Sequence, residues 1–288
     1  MLYSFSGGES SGKGLEYVLS NKQDEFDITV AMLNTSKERP ETMDFAKKVG
    51  EHFGVKINLL EATFDDKKSI GYRVTDFENY KRNGEVFEEM IKCYGLPNKA
   101  YPHCNRELKV IPIHRFAKDV LGTDYYTAIG IRVDEVSRIN KDWKELKYYY
   151  PLIHEGMTKA HVNNFWNNMP FRLNLKGYEG NCNKCWKKSR RKLMTIELDE
   201  RERGIIDSWW NDMEEKYGFY VPSHRKRDWN GEQITFYREN QSNKDIVKMS
   251  KEVFEKAKDD SIIYNFQTTL FGYDLDDTDG CEESCEVF

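Results

Sequence analysis

The sequence predicts an α/β protein with a doubly wound, mostly parallel sheet and a mainly helical C-terminal extension. Two observations predict it. Short apolar runs alternate with helix-length amphipathic segments over the first two thirds of the chain, and the first apolar run ends in a glycine-rich loop that opens a helix. Such alternation favours parallel strands joined by right-handed crossovers. Ligands of these sheets bind at the carboxyl ends of the strands.

The first strands and helices follow one another closely. Residues 2–6 form a short apolar strand that meets the glycine loop, and the spacing from Leu15 is compatible with a helix. Residues 28–33 predict a buried strand. A second helix is expected to begin at Pro40, because proline suits the first turn of a helix. Residues 56–60 predict a third strand.

The next part of the chain is less regular. Residues 65–103 are charged and contain glycine, which predicts an insertion rich in helix and loop. A helix is expected to resume over 105–120 and a fourth strand over 125–131. A short aromatic and apolar segment, 148–153, leads into a helix over 159–168.

The chain divides into an α/β domain, a helical region and a tail. The helical region is expected to contain helices at 201–217 and 244–258. The predicted boundaries are 1–197 for the α/β domain, with a cysteine region at 178–195, then 198–273 for the helical region and 274–288 for an acidic tail.

Composition excludes several classes of protein. The 288 residues are 39% hydrophobic, 14% aromatic and 32% charged, which fits a folded core and not a disordered chain. The apolar runs are far shorter than the roughly 20 residues that span a bilayer, and the N-terminus lacks a basic and apolar leader. We therefore expect a cytoplasmic protein without membrane contact. A net charge of -5 excludes a wholly basic surface but allows a local basic patch.

The first loop has the composition of an anion site. Residues 6–11 (SGGESS) follow a strand and open a helix, where backbone N–H groups and the helix dipole converge. Residues 7–13 also fit G-x-x-x-x-G-K, but Gly14 stands where a Walker A loop needs serine or threonine for magnesium. This excludes an ordinary P-loop NTPase. A glycine turn without a ligand stays open as the alternative.

Four segments in order resemble the PP-loop superfamily, in particular its branch related to phosphoadenosine phosphosulfate (PAPS) reductase. They are SFSGGESSG, NTSKERPET from Asn34, CNRELK from Cys104 and GIRVDEVSR from Gly130, and the resemblance spans about residues 1–195. It implies a phosphate or sulfate cradle, an adenosine-side group and an anion clamp. These sets are Ser6, Gly7, Gly8, Ser10 and Ser11 for the cradle; Asn34, Thr35 and Glu38 near the adenosine; and Gly130 with Arg132 and Arg138 for the clamp.

Two features qualify this resemblance. Many ATP-cleaving relatives carry aspartate where this chain has Ser10, which argues against magnesium-dependent cleavage of ATP; PAPS reductases do not need that cleavage. Arginine suits an anion clamp because its planar fork makes bidentate bonds to phosphate. The alternative for Arg132 and Arg138 is a pair of salt bridges with Asp134 and Glu135.

The cysteines indicate metal or redox chemistry, since six in a chain of this length are too sparse for a disulfide-stapled secreted protein. Cys182 and Cys185 have the two-residue gap that lets both thiolates reach one metal, and Cys104 would be the third ligand. Cys93 or His103 would be the fourth. The resemblance implies a [4Fe–4S] cluster, although His103 stands where cluster-bearing relatives usually have a cysteine. Zinc and a metal-free set of thiols remain alternatives.

Two further segments carry functional hypotheses. The basic run Lys187–Lys192 would hold nucleic acid or the far phosphate of a sulfonucleotide, or would form a solvated helix face. In PAPS reductases a cysteine of a mobile C-terminal segment attacks sulfur, and Cys285 or Cys281 would take that role here. Their acidic neighbours oppose thiolate formation. A disordered acidic tail is the alternative.

Three functions follow. The first is reduction of a sulfonucleotide (PAPS or its 3'-unphosphorylated form, APS) by a thiolate of Cys285 or Cys281, with a thioredoxin-like partner as reductant. The second is ATP-dependent sulfur transfer to a nucleic acid from an iron–sulfur cluster. The third is a nucleotide-binding protein without catalytic activity.

Overall fold

The computed structural model describes residues 1–65 and 70–262, and a six-stranded sheet lies at its centre. Its strands are β1 (Leu2–Ser4), β2 (Thr29–Asn34), β3 (Ile57–Phe64), β4 (Ile70–Thr75), β5 (Thr127–Ile129) and β6 (Tyr148–Tyr149). Across the sheet the order is β4-β3-β2-β1-β5-β6, and only β3 and β4 run antiparallel. The predicted mostly parallel sheet is confirmed.

Helices cover the sheet and continue beyond it. They are α1 (Glu9–Asn21), α2 (Pro40–His52), α3 (Glu85–Tyr94), α4 (Ile111–Leu121), α5 (Pro151–His154), α6 (Lys159–Asn167), α7 (Arg190–Glu202), α8 (Trp209–Tyr217) and α9 (Asn243–Met249). A π-helical turn, Arg106–Val110, runs directly into α4, and short 3-10 helices lie at Val133–Arg138 and Ser223–Asp228.

Side chains that alternate along the central strands build two separate apolar layers. Tyr3 and Val30 pack in one cluster with residues of α1, α2 and α6. Leu2 and Ala31, their neighbours in sequence, pack in another with Phe116 of α4. Because adjacent strand residues point to opposite faces, these helices cover both faces of the sheet. The sheet is therefore doubly wound, as the sequence predicts.

The order of the strands fixes where the functional loops meet. The chain runs from β1 outward through β2 and β3, and later returns to pair β5 with the other side of β1. The switch in direction lies between β1 and β5, which is where open α/β sheets bind ligands. The loops after β1, β2 and β5 all begin at the carboxyl ends of these parallel strands.

The structure departs from the expected elements in three places. The insertion, expected to hold helix and loop, also supplies edge strand β4, whose Arg73 pairs with the buried Glu61 of β3 at 2.5 Å. The helix expected over 201–217 is two helices, because the chain turns at Gly204 with φ +71°. The helix expected over 244–258 ends at Met249.

The helices beyond the sheet pack on the insertion and not as a separate core. One buried cluster joins Phe87 and Leu108 to Trp186, Trp210 and Phe236. The helical region is thus continuous with the α/β layers through shared apolar contacts. Among the residues that the structure describes, no helix combines the length and apolar character needed to cross a bilayer. Residues 274–288, with Cys281 and Cys285, lie outside the described residues.

Candidate nucleotide and sulfur site

The loop after β1 is shaped by a glycine that no other residue can replace. Gly7 has φ +83°, and a Cβ there would lie 2.7 Å from Thr42 Cγ2 and 2.8 Å from Met32 Cε. The next residue, Gly8, occupies the N-cap of α1 in an extended conformation. The loop closes on itself because the Ser6 backbone N–H donates to Ser11 Oγ at 3.1 Å. The result is a tight turn directly before a helix N-terminus.

The loop after β5 packs against this turn. A Cβ on Gly130 would lie 2.6 Å from Ser11 Cα, so the two backbones touch only because residue 130 is glycine. Two residues later Arg132 is 3% exposed, and its Nη1 donates to Ser10 Oγ at 2.6 Å. The loops after β1 and β5 therefore form one surface.

The two arginines expected to clamp an anion are both paired with carboxylates. Arg132 Nε donates to Asp134 Oδ1 at 3.0 Å, and its Nη1 lies 3.4 Å from Glu135 Oε2. Arg138 also pairs with the buried Glu135. The alternative salt bridges are thus present, but they are buried at Arg132 and fix its position against Ser10. Binding of an anion by either arginine stays a prediction.

A small pocket of about 30 Å³ opens beside Gly8. Its wall includes Lys159, which is 5% exposed. Burial lowers the pKa of the Lys159 ammonium; Asp260 opposes this shift, and the charge of Arg132 adds to it. Glu9 also lines the pocket, and its carboxylate accepts hydrogen bonds from both Nε and Nη2 of Arg172 at 3.0 Å. The Glu9 carboxylate is therefore paired with an arginine, and Lys159 is a buried basic residue of the same wall.

The polar residues after β2 hold their own loop together. Asn34 is 1% exposed, and its Nδ2 donates to Glu61 Oε1 at 2.7 Å and to the Lys81 carbonyl at 2.8 Å. The Thr35 backbone N–H donates to Glu38 Oε2 at 2.7 Å. These contacts give all three predicted adenosine-side residues a structural role, and their contact with a nucleotide stays a prediction.

The segment that carries Cys182 is hydrogen-bonded to the loop after β1 and to the loop after β2. Asn181 Nδ2 donates to the Ser6 carbonyl at 2.8 Å, and the Arg39 backbone N–H donates to the Asn181 carbonyl at 2.9 Å. Cys182 itself pairs with Glu38 in an antiparallel bridge. The sequence analysis missed Asn181. Its signal was its place between a glycine and the first cysteine of the pair.

Three of the predicted metal ligands line a single small pocket of about 30 Å³, namely Cys104, Cys182 and Cys185. Trp186 lies in the same wall, and its Nε1 donates to Cys104 Sγ at 3.4 Å. No disulfide joins any of the four cysteines in the described part of the chain. The structure thus brings together the three thiols that the sequence grouped.

The two candidates for a fourth ligand lie elsewhere. Cys93 belongs to α3, and His103 Nε2 is 3.1 Å from the Gly95 carbonyl; neither lines the cysteine pocket. Within residues 1–65 and 70–262, no group of three or more His, Cys, Asp or Glu side chains is arranged to hold a metal ion. The donor chemistry fits a thiolate-bound metal, but the complete ligand set stays a prediction.

The basic run is partly internal. Lys184, which lies just before this run, is 2% exposed, and its Nζ is 2.6 Å from Glu197 Oε1 and 3.1 Å from Glu200 Oε2. Lys188 is also buried, and Arg190 pairs with Glu239. A uniformly solvated helix face does not describe this segment.

The fold and the loop define a class of protein: a nucleotide-binding α/β enzyme fold with an anion loop at the switch point of a mostly parallel sheet. Comparison with known proteins makes the class specific. The model of the phosphoadenosine phosphosulfate reductase domain matches residues 1–169. The chain belongs to this family of adenine-nucleotide enzymes, and the predicted PP-loop resemblance is confirmed.

Individual relatives extend over different lengths. An uncharacterized nin region protein of Escherichia phage lambda is 27% identical over 99% of this chain and 94% of its own length. An uncharacterized protein of Methanocaldococcus jannaschii is 29% identical over 46% of this chain and 22% of its own length. A solved structure, the predicted subunit of a tRNA methyltransferase from M. jannaschii, covers 83% of this chain and 98% of its own at 17% identity. Its TM-score is 0.33, which is too low to transfer anything to this protein.

Proposed function

We propose that this protein binds an adenine nucleotide or sulfonucleotide on the loop 6–11 and carries out thiol-dependent sulfur chemistry on it. The observation that supports this most strongly is the hydrogen bond between Asn181 and Ser6, at 2.8 Å. It joins the segment of Cys182 and Cys185 directly to the anion loop. A nucleotide bound on that loop would lie next to the segment that carries the two cysteines.

The electrostatics of the loop suit a phosphate or sulfate. The N-terminus of α1 provides backbone N–H groups and the positive end of a 13-residue helix. Lys159 adds an ammonium whose pKa is lowered by burial and raised in part by Asp260, Glu9 and Glu135, and further negative charge close to it would raise that pKa. An oxoanion in the pocket would supply that charge, so nucleotide binding and protonation of Lys159 would favour each other.

Arg132 would act mainly by positioning the loop. Its guanidinium already donates to Ser10 Oγ and to Asp134, and it is buried. A bound oxoanion would meet a serine hydroxyl whose direction is fixed by this contact. The donors therefore need little reorganisation when charge develops on the leaving phosphate.

Reduction of a sulfonucleotide is the leading reaction. A thiolate attacks the sulfate sulfur, the bond from sulfur to the phosphate oxygen breaks, and the nucleotide leaves with that electron pair. A second thiol then attacks the cysteine sulfur, which forms a disulfide and releases sulfite. Two thiols are oxidised and one sulfate is reduced. Cys285 or Cys281 would be the attacking residue, and a thioredoxin-like protein would reduce the disulfide.

The test measures sulfite release from PAPS and from APS with a dithiol reductant. Cys285→Ser and Cys281→Ser are compared with wild type, and Cys93→Ser is the control because Cys93 does not line the cysteine pocket. We expect one tail variant to lose sulfite release while Cys93→Ser keeps it. Equal rates in all four proteins would remove the tail from the mechanism, and no sulfite from either substrate would refute the reductase function.

ATP-dependent sulfur transfer to a nucleic acid is the second candidate, favoured by the three cysteines that share one pocket. Cys104, Cys182 and Cys185 would hold a [4Fe–4S] cluster, or zinc, with a fourth ligand from outside the wall. A bound cluster would supply iron that can carry sulfide. The cysteines would hold the metal, and the basic segment Lys187–Lys192 would bind the nucleic acid. Ser10 in place of aspartate argues against the required ATP cleavage.

Two measurements separate this candidate from the first. Protein purified without oxygen would be brown and bleach in air, and Cys182→Ala would lose the colour while Cys93→Ala keeps it unless Cys93 is the fourth ligand. AMP formation with magnesium and bulk tRNA or DNA would be accompanied by a thiolated product. Colourless protein with one equivalent of zinc, and no AMP, would exclude sulfide delivery. Binding of PAPS or ATP without any product would instead indicate a nucleotide-binding protein without turnover.

A further inference from the structure

A second pocket lies in the helical region, lined by residues that do not line the pocket beside Gly8. It has a volume of about 300 Å³ between the 98–101 loop and the 221–240 segment, and its wall includes Arg225 and Trp229. Arg225 is 1% exposed. Its Nη1 donates to the carbonyls of Tyr94 at 3.2 Å and Leu96 at 3.0 Å.

The rest of this guanidinium is incompletely satisfied. Its centre lies 3.6 Å from the Tyr101 ring centroid, which compensates part of the charge. Among the described residues, its buried Nε and Nη2 have no hydrogen-bond partner. Burial lowers the pKa of Arg225, and the contact with Tyr101 opposes that shift. Burial of a charged donor without an acceptor is costly, and proteins rarely leave such a group unexplained.

The two unsatisfied atoms belong to one edge of the guanidinium. Nε–H and one N–H of Nη2 point in nearly the same direction, which is the geometry that receives two oxygens of a carboxylate or phosphate. Nη1, on another edge, is the atom that the protein uses internally. The protein thus fixes Arg225 through Nη1 and through Tyr101, and leaves the bidentate edge without an acceptor.

We propose that this pocket binds an oxoanion, the phosphate or carboxylate group of a small ligand, through the Nε and Nη2 edge of Arg225. Trp229, 37% exposed in the wall, offers an aromatic surface to the remainder of the ligand. Glu232 is the acidic residue among those that line this pocket. The proposal is independent of the proposed sulfur chemistry, since its residues are not those of the nucleotide loop or the cysteine pocket.

The experiment observes Arg225 directly. Full-length protein labelled with ¹⁵N-arginine is titrated with sodium phosphate, sodium acetate or sodium chloride at matched ionic strength, and the Nε–H resonances are recorded. Arg225→Lys identifies the Arg225 resonance by its loss. If that variant does not fold, Trp229→Ala identifies the resonance by a local shift, because the Trp229 ring is partly exposed. Arg227→Lys is the matched control, an exposed arginine of the same helical turn.

We expect the Arg225 resonance to move saturably with an oxoanion and not with chloride, in wild type and in Arg227→Lys alike. A response to phosphate alone assigns a phosphoryl ligand, and a response to acetate alone assigns a carboxylate ligand. A response to both supports the shared oxoanion chemistry. Phosphate that binds only the loop 6–11 would leave this resonance in place. No saturable shift with either anion, or the same shift with chloride, would overturn the proposal.

Discussion

Substitution of Gly8 by alanine separates nucleotide binding from folding. A Cβ at this position would lie no closer than 3.6 Å to any protein atom outside its chain neighbours, the nearest being Asn181 Nδ2. The backbone of Gly8 has φ -97°, which every residue adopts. The methyl group therefore fits the protein without a ligand. It would project beside the N-terminus of α1, where phosphate must approach the backbone.

The expected changes follow from these two facts. Alanine is a weaker helix N-cap than glycine, by up to about 1 kcal/mol, and it restricts the unfolded chain, which returns about 0.4 to 1 kcal/mol. The two effects nearly cancel, so Tm should shift by less than about 4 °C. Lost contact with one phosphate group should weaken nucleotide binding at least tenfold, which corresponds to about 1.4 kcal/mol.

Gly130→Ala is the matched contrast. There a Cβ would meet the Ser11 Cα at 2.6 Å, and backbone atoms cannot move aside as a flexible side chain does. This variant should lose thermal stability with or without nucleotide. Calorimetric titration with PAPS and ATP and a thermal unfolding scan measure both quantities for each protein. Gly8→Ala that binds nucleotide within twofold of wild type would refute the assignment of the anion loop.

Three further predictions concern residues around the site and the helical region. Arg132→Ala should lower stability by about 3 to 5 kcal/mol and also weaken nucleotide binding, because it leaves the buried Glu135 short of a partner. Urea unfolding measures the loss of stability, and a change below about 1 kcal/mol would contradict this prediction. Asn181→Ala removes the hydrogen bond between the segment of Cys182 and the Ser6 carbonyl, so it should weaken nucleotide binding and raise the alkylation rate of Cys182. If the affinity and the alkylation rate are both unchanged, the contact is dispensable. Burial raises the pKa of Glu214 to about 7, although two backbone N–H groups donate to its carboxylate and oppose this shift. The contribution of Glu214 to stability is therefore full below about pH 4.5 and disappears as the pH rises through 7. Wild type should therefore lose up to about 3 kcal/mol more than Glu214→Gln between pH 4.5 and 8 in urea unfolding, and parallel pH profiles would contradict this.

The fold could be predicted where the spacing of apolar residues and the residue types in the adjoining turns indicate the same element. β2 lies close to its expected range and α2 begins at the expected Pro40, because a run of apolar side chains is followed by a loop and a proline at the first helical position. Edge strand β4 was missed because only one face of an edge strand is buried. Its sequence, IGYRVT, carries Arg73 as the partner of Glu61, so charge obscured the alternation.

The site was predictable as a set of loops and not as a set of contacts. The glycines of the first loop and the spacing of Cys182 and Cys185 have local signals, and the structure brings Cys104 to them. The bonds from Asn181 to Ser6 and from Arg132 to Ser10 join segments more than 100 residues apart. Single-sequence patterns report local geometry. The position of Asn181 beside the cysteine pair could mark the residue, but no local pattern marks its contact with Ser6 or the contact of Arg132 with Ser10. The same reason hid Arg225, whose neighbours come from the 94–101 segment.

The antiparallel bridge between Glu38 and Cys182 joins a residue predicted to lie near the adenosine to a residue predicted to bind the metal. If a bound nucleotide changes the ease with which the Cys182 thiol is oxidised or metallated, the oxidised or metallated protein must change its nucleotide affinity by the same factor. A titration of nucleotide against reduced and oxidised protein would therefore yield the coupling in either direction. The cell's redox poise would set how much nucleotide the protein retains, without any dedicated regulatory domain.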